Sequence, residues 1–124
     1  MRTRVNIKTG STEEFFDRLR DHARKLDRGE TLRPEITITF EDPAEMLKIL
    51  TAERIRLLAR VKGGSQQISA LATELKREVR AVSRDVSLLE KAGLLRTSYQ
   101  SNPGHGRRKI VESVAREYKL VASL

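Results

Sequence analysis

A chain of 124 residues, 38% apolar and only 4% aromatic, has room for one small domain or one with an appendage, its core built from Leu, Ile and Val. The absence of cysteine excludes disulfides, thiolate catalysis and cysteine-based zinc or iron–sulfur sites; with no apolar run near the roughly 20 residues of a membrane span and no signal-like stretch after Met1-Arg2-Thr3-Arg4, a soluble cytoplasmic protein without a membrane role is expected. The net charge of +8 is uneven: residues 1–50 carry 10 basic and 10 acidic side chains, residues 51–124 carry 15 and 7. A neutral front and a basic back predict two jobs, because concentrated cations attract polyanions through counterion release and a neutral surface suits protein contacts.

In the front, residues 4–8 read as a short strand. Ser11-Thr12-Glu13-Glu14 follows as a capping box that starts a helix. Phe15, Phe16, Leu19, Ala23 and Leu26 form its apolar stripe, Asp17, Arg18, Asp21, Arg24 and Lys25 fill the opposite face, and Gly29 ends it. Ile36, Ile38 and Phe40 alternate with Thr37 and Thr39, the period of a half-buried strand. Asp42-Pro43 then supplies an N-cap and a first-turn proline, with Glu45 behind them. Some 45 residues of this kind bury too little surface to stand alone, so the front packs on the rest, on a second copy of itself, or on another protein.

From residue 51 onward the basic part begins. Thr51 caps a helix with Ile55, Leu58, Ala59 and Val61 as its apolar positions and Gly63-Gly64 as its stop. Ser69 is expected to cap a brief second helix carrying Leu71, Ala72 and Leu75. The tight connection Lys76-Arg77 leads into a third helix, in which Val79, Val82, Val86 and Leu89 face inward. Arg80, Ala81, Ser83, Arg84, Ser87 and Lys91 face outward, a row of cations and small groups rather than the Glu/Lys pairs of an ordinary solvated helix. Gly93 ends that helix, residues 94–99 rise as a strand to a tip at residues 101–106, and Arg107, Arg108 and Lys109 descend from it as the basic shoulder of a β-hairpin. The closing stretch fits a helix through Val114, Tyr118 and Val121, or a strand through Tyr118, Leu120 and Ala122, with the balance toward a strand that joins the front.

Three short helices and a glycine-tipped hairpin make a winged helix-turn-helix. The expected fold class is therefore α+β: a winged helix-turn-helix over residues 51–124 with an N-terminal β-α-β extension over residues 1–50. The run Ile68-Ser69-Ala70-Leu71-Ala72-Thr73-Glu74-Leu75, followed by Val82-Ser83-Arg84-Asp85-Val86-Ser87 and by Leu89-Glu90-Lys91-Ala92-Gly93-Leu94-Leu95, resembles the second and third helices and the start of the wing in MarR/ArsR-like transcriptional regulators. The likeness is greatest to small prokaryotic regulators of that type with a strand-helix-strand extension. One departure stands out: the turn between the two helices often has a glycine where this chain has Lys76, so a left-handed backbone there would be strained, and the turn differs or the second helix runs on.

The resemblance and the charges together imply a dimeric repressor on double-stranded DNA, its third helix in the major groove. Arg84 is the leading base reader, Ser83 and Ser87 sit beside it, and Arg77, Arg80 and Lys91 grip phosphates. Arg107, Arg108 and Lys109 bring the wing over the backbone or into the minor groove. The alternative is an antitoxin that holds a toxin protein through its front part and represses its own operon, since some members of the group it resembles are paired with toxins. An enzyme is not expected: His22 and His105 lie far apart with no acidic cluster beside either, and neither a cofactor nor a metal site is implied.

Overall fold

The computed structural model describes residues 4–9, 12–29, 35–40, 42–104 and 106–122. The chain runs β1 (Arg4–Thr9), α1 (Thr12–Asp27), β2 (Glu35–Phe40), α2 (Pro43–Ile49), α3 (Ala52–Val61), β3 (Ser65–Gln67), α4 (Ile68–Leu75), α5 (Val79–Lys91), β4 (Leu95–Asn102), β5 (Gly106–Ser113) and β6 (Glu117–Val121). The fold is α+β, a winged helix-turn-helix made by α3, α4, α5 and the β4–β5 hairpin, preceded by the β1-α1-β2 unit.

Two small sheets carry it. In the first, β1 lies between β2 and β6 and is parallel to both, with Val5 opposite Ile36 and Tyr118, and Ile7 opposite Ile38 and Leu120. As the middle strand of a parallel sheet, β1 is covered on both faces: Val5 and Ile7 are fully buried on one, and Asn6 is buried on the other. The stretch that fitted both a helix and a strand is β6, and it completes the front sheet. The second sheet is antiparallel, in the order β3-β5-β4.

One contiguous core joins these parts. Val5 and Ile7 share it with Met46 and Leu50 at the end of α2, Leu57, Leu58 and Val61 of α3, Leu71 of α4, and Val82, Val86 and Leu89 of α5. Leu94, Leu95 and Val111 bring in the hairpin. The helix ends follow the local chemistry of the chain. Asp42 caps α2 by accepting from the Ala44 N–H at 3.0 Å, with Pro43 in the first turn, and Thr51 caps α3 by accepting from the Arg54 N–H at 3.4 Å.

Several expectations are corrected. The inward stripe of α3 is Leu57, Leu58 and Val61, and Ile55 and Ala59 face out; spacings of three and four from position 54 put Arg54, not an aliphatic residue, at the first inward position. Ser69 lies inside α4 instead of capping it, because Ser65–Gln67 pairs with β5 and the helix starts directly at Ile68 with Gln67 as N-cap. Val79, in the first turn of α5, is 45% exposed, as the core reaches the helix only from Val82 onward. Phe16 and Leu19 of α1 are 51% and 47% exposed and Ala23 is exposed too, and none of the three belongs to the shared core, so this part of the expected stripe is left partly uncovered within the chain. The capping residue expected at Ser11 lies outside the described residues, as does His105, and the side chains of Glu14 and His22 are likewise outside them. The hairpin tip is shorter than expected, with Ser101 and Asn102 still paired to Arg107 and Gly106.

Candidate nucleic-acid interface

The turn before α5 sets where that helix points. Lys76 follows α4 at φ 55°, ψ 44°, the left-handed region, the one non-glycine there among the described residues. Its N–H donates to the Thr73 carbonyl at 3.2 Å and the Arg77 N–H to the Ala72 carbonyl at 3.0 Å, the paired bonds of a Schellman motif. The turn therefore keeps the geometry a glycine would supply, with a lysine in its place. The other end of α5 closes in the same way: Gly93, at φ 83°, donates to Glu90 at 3.0 Å and Leu94 donates to Leu89 at 2.9 Å. Leu89 and Leu94, the pair that such a motif brings together, are both fully buried. The Glu90 carboxylate then accepts from the N–H and the hydroxyl of Thr97, each at 2.7 Å, and fastens the end of α5 to the first strand of the wing. Each position of the run Leu89-Glu90-Lys91-Ala92-Gly93-Leu94-Leu95 that this joint needs is thereby accounted for.

Arg80, Arg84, Ser87 and Lys91 are exposed along α5, and Ala81 and Ser83 are partly so. Among the described residues Arg80, Arg84 and Lys91 have no ion-pair partner, so their charge is uncommitted. Ser83, Arg84, Ser87, Leu88 and Lys91 line one shallow hollow on this face, and Thr73, Lys76, Arg77, Val79 and Arg80 line another around the turn. On the wing, Arg107 and Arg108 are exposed and Lys109 is half-buried. The Arg107 guanidinium lies 5.0 Å from the centre of the Tyr99 ring on the facing strand, a cation–π contact that stiffens the hairpin near its tip.

Arg77 differs from the others. Its side chain is 20% exposed, with Nη1 on Asp85 at 2.8 Å and Nη2 on Glu53 at 3.3 Å. It is committed to the interior, and Lys76 beside it is the exposed cation of the turn. The sequence reading also missed Arg54, Asp85, Glu90 and Tyr99. Asp85 had a signal: it falls between Val82 and Val86 at inward spacing, where a carboxylate demands buried cations as partners.

No group of three or more His, Asp or Glu side chains among the described residues could hold a metal, and no helix there is long and apolar enough to cross a membrane.

A family model described as HVO_A0114 matches residues 49–113, the span from the end of α2 to the end of β5. No curated protein matches. Among solved structures, a possible transcriptional regulator from Methanosarcina mazei Go1 is 22% identical, covering 62% of this chain and 68% of its own, with a TM-score of 0.51. Reduced HlyU from Vibrio cholerae N16961 is 13% identical over 78% of this chain and 80% of its own, TM-score 0.48. A homodimeric winged helix-turn-helix DNA-binding domain from Mycobacterium bovis, a possible ArsR-family transcriptional regulator, is 17% identical over 61% and 73%, TM-score 0.44. The first of these is a likeness of fold alone.

Proposed function

The chain belongs to the HVO_A0114 family, and from that premise and the cationic face of α5 we propose that it is a sequence-specific double-stranded DNA-binding transcriptional regulator, acting as a dimeric repressor of MarR/ArsR-like type. The observation that carries this reading is the exposed, uncommitted row Arg80, Arg84, Ser87 and Lys91 on a helix anchored at both ends. A helix of this width fits the roughly 12 Å major groove, where an arginine pairs with guanine O6 and N7 and short hydroxyls take a base edge or a phosphate. Arg84 is the base reader, flanked by Ser83, Ser87 and Ala81. Arg80, Lys91 and Lys76 hold phosphates, and Arg107, Arg108 and Lys109 lay the wing along the backbone or into the minor groove. Arg77 serves the site from behind. On this reading residues 51–124 bind DNA and residues 1–50 make the protein contacts.

The test is a titration against the gene's own promoter and a scrambled duplex, with wild type and Arg84→Ala. With six to eight phosphate contacts, wild-type affinity falls by about three to four decades between roughly 50 and 200 mM salt. Arg84→Ala loses about 1–3 kcal/mol on the promoter and much less on the scrambled duplex. Equal loss on both duplexes makes Arg84 a phosphate contact, and no binding to either ends the reading.

The antitoxin alternative is favoured by one feature, the apolar exposure of Phe16 and Leu19 in the neutral front, which suits a protein partner. Co-expression with the product of an adjacent small reading frame, followed by co-purification, tests for a toxin partner, which a homodimer does not exclude.

A further inference from the structure

α5 carries one buried charge, Asp85, on the side away from its cationic row. Each carboxylate oxygen is held by an arginine from a different place: Oδ1 accepts from Arg54 Nε of α3 at 3.0 Å, and Oδ2 accepts from Arg77 Nη1 of the turn at 2.8 Å. The Arg54 guanidinium is shared further, its Nη1 donating to the carbonyls of Lys48 and Ile49 at 2.9 and 3.1 Å, the open end of α2. Arg77 in turn reaches Glu53. A single carboxylate thus joins α5 to α3, to the turn and, through Arg54, to the helix that leaves the front sheet.

Resting on the DNA-reading role proposed above, we propose that Asp85 is the positioning residue that sets the rotation and height of α5 and so determines which bases Arg84 can reach. The two Schellman turns and the Glu90 bonds hold the ends of α5, but the apolar contacts along its middle, Val82, Val86 and Leu89, are non-directional and leave room for a small roll. Two charge-assisted hydrogen bonds arriving from separate elements do not, because both distance and angle are constrained. Asp85 and Arg84 are neighbours, about 100° apart around the axis, so fixing the rotation at one fixes it at the other. Buried ion pairs contribute little net stability against well-packed apolar groups, and their best-attested use is to select one arrangement among several. Arg54 extends the device: a displacement of α2 is transmitted to the reading helix through a path of two hydrogen-bonded side chains.

The test compares wild type with Asp85→Asn, a change of nearly equal volume that removes the charge both arginines hold. Fluorescence anisotropy measures affinity for the promoter duplex and for a scrambled duplex at roughly 50 and 200 mM salt. The expected result is a fall of about ten-fold or more in the promoter-to-scrambled ratio, with affinity for the scrambled duplex and the salt slope unchanged, since no phosphate-binding cation is touched. A ratio within about two-fold of wild type overturns the proposal. If Asp85→Asn loses the wild-type circular dichroism, Arg54→Lys replaces it under the same criteria, because lysine keeps the charge but not the fork that spans Asp85 and the α2 carbonyls. A wild type that treats both duplexes alike refutes the DNA reading and this inference with it, whereas a selective wild type matched by its variant refutes the positioning role alone.

Discussion

Lys76 bears a backbone conformation that costs an L-residue with a Cβ about 1–2 kcal/mol, because it holds the left-handed position of the Schellman motif that ends α4. Lys76→Gly removes that cost and recovers part of it, the remainder being offset by the greater freedom of glycine in the unfolded chain. The expected gain is about 0.5–1 kcal/mol, read as a higher urea midpoint at unchanged slope. That the lysine is present despite the strain accords with a use for its charge beside the phosphates of the DNA proposed above. Tyr118 is a second residue with a measurable signature. Its hydroxyl donates to the Leu94 carbonyl at 2.7 Å and accepts from the Val114 N–H at 3.3 Å, so β6 is bonded to the joint between α5 and the wing. Burial pushes the phenol above its ordinary value of 10.0, because the anion is disfavoured there. A raised pKa means that the stabilisation is complete below the unfolded value and is lost as pH rises through the folded one. Wild-type melting temperature therefore falls as pH climbs beyond about 10, and Tyr118→Phe, costing about 1–2 kcal/mol at neutral pH, flattens that fall.

At the scale of elements, what the chain disclosed was whatever depends on neighbours in sequence. The caps Asp42 and Thr51, the alternation of Ile38 and Phe40 with threonines, the glycine stop at Gly93 and the inward face Val82, Val86 and Leu89 are local patterns, each with one physical solution. The outward row on α5 followed from the same periodicity. What escaped was set by distant partners. Ile55 satisfies a helical spacing as well as Leu57 does, and only what packs against α3 in the shared core decides which is inside. Arg77 looked like another cation of the basic stretch, since nothing beside it in the sequence indicates that Asp85, eight residues on, would turn it inward. β3, at three residues, has no periodicity to read and exists because β5 supplies its hydrogen bonds.

Over the whole molecule, the front and the winged unit are not separable pieces. β6 comes from beyond the wing and supplies one neighbour of β1, while Val5 and Ile7 lie in the same core as α3 and α5. The ion pair between Arg4 and Glu117 at 3.2 Å crosses nearly the full length of the chain. Ending the chain at Arg116 removes β6 and its Tyr118 bonds and opens one edge of β1 to solvent. Wild type is expected to melt in one cooperative transition and such a variant to lose it, with the amides of Val5 and Ile7 exchanging fast while those of α5 remain partly protected, as measured by hydrogen exchange.

The parallel pairing of β1 with β6 also has a consequence during biosynthesis. The positions of Arg4 and Glu117 are 113 residues apart, and a ribosome adding roughly 5–20 residues per second leaves β1 without that neighbour for about 6–23 s. Throughout that interval its hydrogen-bonding edge and the apolar side chains of Val5 and Ile7 have only part of their eventual cover, so the nascent chain is most prone to self-association before β6 emerges.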